Sequence, residues 1–215
     1  MTNSSTEANV DWRLPAGKPD WLFGTGATRT ERWVVWLGTA AAVAVLAATA
    51  AAQDAAWSWW QWALVLALTM DVAGGVPANS LATAKRLYHS PAPACQPLRR
   101  RLLRHHTSFS ALHLHPFLVA LVLPDASLRW AATWYLIALA GTVAVVRAPL
   151  YLHRPIAAAW TTAAVIAAPL VAAPVGLGWL GPVLVLKLVA AHAVREEPYR
   201  PRPAPASAPT GQLLA

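Results

Sequence analysis

The chain has 215 residues, of which 57% are hydrophobic and only 12% charged. A soluble domain carries about 25% charged residues, so this composition argues against a soluble globular fold and for a chain dissolved mainly in lipid. The formal net charge of +8 would raise nucleic acid as a partner of a soluble protein; here the basic residues fall between apolar runs, which argues against nucleic acid and makes charge a guide to membrane orientation.

Residues 1–32 are polar and mixed in charge, without the n-region and short h-region of a signal peptide. They read as a cytoplasmic tail ahead of an uncleaved membrane anchor. Six apolar runs follow, at residues 33–52, 57–80, 108–123, 130–146, 156–174 and 177–194. A transmembrane helix needs ~20 apolar residues. Runs one, two and five meet that length. Runs three, four and six lie near the lower limit, and runs three and six also carry polar residues. Runs five and six also allow one re-entrant hairpin. Residues 195–215 are rich in Pro, Ala and Arg and read as a disordered cytoplasmic tail. The single cysteine, Cys95, excludes an intrachain disulfide and falls in a basic loop expected in the cytoplasm.

The expected fold is therefore all-α: a polytopic integral membrane bundle of about six transmembrane helices, N-in and C-in. The expected location is the inner (plasma) membrane of a bacterium, since the bias to Ala, Arg and Pro with only three Lys suits a G+C-rich genome. Charge placement supports the direction. In the N-in arrangement 15 of the 17 Lys and Arg residues fall in inner segments, only Arg129 faces outside, and only Lys187 lies within a run. Ten of the 12 Trp residues open runs at a headgroup level, among them Trp33, Trp57, Trp130, Trp134, Trp160 and Trp179.

Ionisable residues within a bilayer are costly and are functional candidates by default. Here they gather in the inner half. Asp71 lies ~21 Å along run two from Trp57, and His113 and His115 lie ~9 and ~12 Å along run three from its inner end. His192 is near the inner end of run six, His153 in the loop between runs four and five, and His89, His105 and His106 ahead of run three. Asp71, Gly75 and Asn79 fall four apart and share a helix face, with Gly74 and Gly75 leaving room for a neighbouring helix. His113 and His115 are ~200° apart on a regular helix and converge on one centre only if Pro116 distorts the turn.

Imidazoles with one carboxylate suit Zn or non-haem Fe. The leading expectation is a metal-dependent membrane enzyme acting on a lipid or isoprenoid-like substrate from the cytoplasmic side. Asp71, His113, His115 and His153 are the candidate ligands, and Asp71, Asn79 and His113 the candidate catalytic groups. One alternative is an Asp71–Lys187 ion pair within a small transporter or proton relay that also uses His113. The other is a haem-binding electron carrier with two axial His. The HH, six-residue gap, HxH pattern departs from the three histidine boxes of membrane desaturases and hydroxylases.

Overall fold

The computed structural model describes residues 8–91 and 97–201. Cys95 and residues 202–215 lie outside the described residues. The chain is mostly helical, in the order β1 (Ala8–Val10), α1 (Arg29–Ala52), α2 (Trp59–Ser80), α3 (Ala82–His89), α4 (Leu98–Arg104), α5 (His106–Ala111), α6 (His115–Val122), α7 (Leu128–Arg147), α8 (His153–Ala167), α9 (Leu180–Val185) and β2 (Tyr199–Pro201). Helix α9 continues without interruption into a π-helical segment, Leu186–Ala193.

Helices α1, α2 and α7 are long and apolar enough to cross a membrane, and they associate the protein with one. Only 22% of the apolar window of α1 is buried, so most of its surface needs a hydrocarbon environment. Run four, short in sequence, is a full 20-residue helix in α7. Run five is α-helical only to Ala167 and tightens to a 3-10 turn at Ala168–Leu170, where Pro169 removes a backbone donor. Run three is two short helices, α5 and α6. Run six is α9 plus the π-helical segment.

The core is built around α7 and Leu180–Ala193. Trp130, Trp134, Ala138 and Val145 of α7 meet Leu180, Leu184, Leu188 and Val189, with α2, α6 and α8 packed around them. Helix α1 packs chiefly on α2. The tryptophans correct the expected belt in part. Trp33 and Trp59 are exposed, as headgroup residues should be, but Trp130 and Trp134 are fully buried. Trp134 lies flat on Gly181, where a Cβ would fall 2.0 Å from its ring. Glycine, not the membrane interface, sets that tryptophan's position.

The described residues at the two ends of the chain pair with each other. Val10 and Tyr199 are register partners in a two-stranded antiparallel ribbon of β1 and β2. Asp20 accepts hydrogen bonds from the Leu22 and Phe23 amides and pairs with Arg32 at 2.9 Å, which folds the N-terminal segment under α1. Phe23 is then buried against Val35 and Ala78. Thr28 and Glu31 form a reciprocal capping box that starts α1.

Gly24 has φ +77°, and a Cβ there would lie 2.1 Å from the Thr83 carbonyl carbon. Gly24→Ala is therefore expected to lower stability by more than the ~1–3 kcal/mol of a left-handed non-glycine residue alone. Gly178→Ala, whose nearest neighbour stands at 4.0 Å, should change it by less than about 0.5 kcal/mol. Thermal unfolding of both variants in detergent checks the difference.

Candidate functional site

Asp71 projects from the middle of α2. Its Oδ2 lies 2.7 Å from Lys187 Nζ and 3.4 Å from His115 Nε2. Lys187 reaches it across Gly75, where a Cβ would sit 2.5 Å from the lysine Cε. One turn from Asp71, glycine supplies the gap through which the lysine passes, while Gly74 takes Thr39 of α1. The face shared by Asp71 and Gly75 thus has a definite purpose. Asn79, on the same face, lies ~12 Å farther along the helix axis, buried, with no partner for its Nδ2 among the described residues.

His113 and His115 converge because run three breaks between them. Helix α5 ends at Ala111, and α6 restarts at His115 with Pro116 in its first turn. The intervening Leu112–Leu114 removes the ~200° separation of a regular helix. The carbonyls freed at the break find partners. His113 Nδ1 donates to Phe109 O at 2.7 Å, and Tyr135 Oη donates to Ala111 O at 3.1 Å. A carbonyl only accepts, so His113 carries its proton on Nδ1 and presents Nε2 as a lone pair. Backbone carbonyls fix metal-binding histidines in the same way.

Asp71, His113 and His115 each offer a ligand atom, all within 4.8 Å of one another, and together they can hold a metal ion. Three protein ligands with open positions are the pattern of a reactive rather than a closed structural centre. Two features bear on the fit. The buried His115 Nδ1 has no hydrogen-bond partner among the described residues. Lys187 shares Oδ2 with His115, so a cation at this site uses the other carboxylate oxygen or moves the lysine.

His153 stands apart from this trio. It opens α8, and its Nε2 donates to Ala148 O at 3.1 Å, closing the turn at Pro149. Three of the remaining histidines, His89, His106 and His192, form a second cluster. His106 Nδ1 is 3.2 Å from His192 Nε2, His89 stacks on His106 at 4.2 Å between centroids, and His89 Nε2 donates to His192 O at 3.0 Å. Phe109 lies between the clusters, stacked on His192 at 3.9 Å and tilted against His113 at 4.6 Å. His105 caps α5 through Ser108. Lys85 is buried and donates to Ala191 O and Val194 O at 2.6 and 2.8 Å. One turn apart on α3, Lys85 and His89 thus satisfy carbonyls left open where the π-helical segment ends.

The π-helical segment is the part that sequence reasoning missed. On an α-helix Lys187 and His192 would point ~140° apart. The i→i+5 spacing of a π-helix brings residues five apart close to one face. That face is turned toward α2 and α5, so one segment serves both clusters. Apolar periodicity carries no signal for such a change of pitch.

Comparison with protein-family models, with curated proteins and with solved structures finds no match to this chain.

Burial, followed by the charge of neighbouring histidines, holds His106 down at about 4 and His89 at about 2. Burial also pushes Lys85 down to about 8, against the pull of Glu196. Histidines below the ordinary value of 6.5 bind protons more readily when unfolded. Their contribution is complete above about pH 6.5 and is lost as the pH falls toward about 4. Melting temperature in detergent should therefore drop across that window, and His106→Gln should flatten the slope.

Proposed function

We propose that this protein is a metal-dependent membrane enzyme whose Zn or Fe centre is held by Asp71, His113 and His115, and whose substrate is lipid- or isoprenoid-like. The observation that carries the reading is the convergence of three ligand atoms within 4.8 Å at a helix break. A bound Zn or Fe would supply Lewis acidity or an activated water at neutral pH. Phe109 O holds the His113 ring in its ligating tautomer. Lys187 orients the Asp71 carboxylate and offsets its charge. The long apolar helices favour a substrate that arrives through the lipid.

The proposed topology keeps six crossings with both ends in the cytoplasm of a bacterial inner membrane. Pairing of Ala8–Val10 with Tyr199–Pro201 supports it, because chain ends joined in one ribbon require an even number of crossings. The short apolar helix Leu180–Ala193 and residues 108–123 would be the shielded inner crossings, surrounded by α2, α7 and α8. Broken helices are tolerated within membranes where protein surrounds them.

A second reading has a specific observation behind it. The 2.7 Å Lys187–Asp71 contact also suits a metal-free proton relay through Asp71, His113 and Lys187 in a small transporter. Elemental analysis of the purified protein separates the two. The enzyme reading expects about one Zn or Fe per chain, with metal affinity falling more than ~100-fold in His113→Ala or His115→Ala, since losing an outer-shell partner alone costs ~10–100-fold. His153→Ala and Asn79→Ala should keep their metal. Metal-free wild-type protein after growth with added Zn and Fe would leave the relay, and a Soret band would replace both readings with haem.

A further inference from the structure

An open groove of about 330 Å³ lies between α1 and α2, with Leu22 and Asp71 among its lining residues. Val35, Trp36, Ala67 and Met70 make its apolar walls. Trp36 and Met70 are exposed, so it opens on the outside of the bundle rather than into the core. Thr39 also lines it, but its hydroxyl is already donated to Val35 O at 2.8 Å. Asp71 is thus the charged group available in this groove, and its side chain is half exposed.

The two oxygens of Asp71 are used unequally. Lys187 and His115 both meet Oδ2. Oδ1 has no hydrogen bond or ion pair among the described residues. A carboxylate oxygen left without a donor in a hydrocarbon-lined groove is unfavourable. Whatever fills the groove gains most by bringing a donor to that oxygen. We infer that the α1–α2 groove seats a single-chain lipid alcohol, with its chain along Val35, Trp36, Ala67 and Met70 and its hydroxyl donating to Asp71 Oδ1.

Charge selects the hydroxyl. A carboxylate or phosphate head would meet the Asp71 carboxylate, and Lys187 cannot compensate because it is 3% exposed and committed to Oδ2. An ammonium head would add a second cation beside Lys187. A neutral donor matches a pair that already cancels. Size selects a single chain, since 330 Å³ is near the bottom of the ~300–1,000 Å³ range of small-ligand sites. Entry needs no opening of the core, because exposed Trp36 and Met70 line a groove that is already open to the outside. This inference rests on the lipid-substrate half of the function proposed above; an ion at Asp71 would use Oδ1 or displace Lys187, so labelling is read in chelator-treated protein and metal content is measured separately.

The test uses full-length protein in nanodiscs and a long-chain alkanol carrying a diazirine, beside the fatty acid and the alkane of equal length. The alkanol should label residues 35–39 and 67–74, with the fatty acid about tenfold weaker, the ratio expected for a difference of ~1.4 kcal/mol. Ala67→Trp, or the milder Ala67→Leu, fills the groove from an exposed position and should lower labelling while leaving metal content unchanged. Asp71→Leu should erase the preference for alkanol over alkane. Labelling that persists after chelation, together with a failed metal analysis, would retire the metal and keep the groove. Equal labelling of lipid-facing Leu136 and Ile166, no response to either Ala67 variant, or fatty acid labelling equal to alkanol would overturn the proposal.

Discussion

One charged contact organises the polar centre of this molecule: the Asp71 carboxylate held by Lys187 and His115 through a single oxygen. A lone carboxylate among apolar helices is costly, and without Asp71 the ammonium of Lys187, 3% exposed, would be left buried and unpaired. The surrounding backbone accommodates the pair. Gly75 clears a path for the lysine, the π-helical segment aims it, and the break after Ala111 turns His115 inward. These three departures from regular helix come from three different segments and meet at one carboxylate.

Departures of this kind leave backbone groups unpaired, and each is answered by a side chain from elsewhere. Gln61 of α2 donates to Val122 O at the end of α6. Tyr135 takes the Ala111 carbonyl, and Lys85 and His89 take those at the end of the π-helical segment. Lys85, one of the basic residues expected in the inner segments by sequence, is therefore a structural cap as well. The ion pairs of Arg154 with Glu196 and Glu197 extend the same interlocking to the segment that leads into β2.

The sequence makes the membrane character legible through composition, and it makes Asp71, His113 and His115 legible because polar residues stand out in apolar runs. It also exposes Gly75 through four-residue spacing and the competing Lys187 through depth. Other features are hidden for physical reasons. Whether Pro116 bends or breaks a helix depends on partners for the freed carbonyls: the His113 side chain is local, but Tyr135 comes from tertiary packing. A π-helical segment has the same composition as an α-helical one. Trp134 reads as an interface anchor until Gly181 is seen to receive it. Asn79 shares the face of Asp71 but lies two turns away, and His153 is spent on closing its own turn.

The central claim is that two histidines separated by one residue turn onto a single centre with Asp71. X-ray absorption at the Zn edge of protein loaded with one equivalent of Zn tests it most directly. The account predicts two imidazole shells at ~2.0–2.1 Å and oxygen donors at ~2.0–2.2 Å, with one imidazole lost in His113→Ala and one in His115→Ala. A spectrum with one imidazole or none, or one unchanged in both variants, would contradict it.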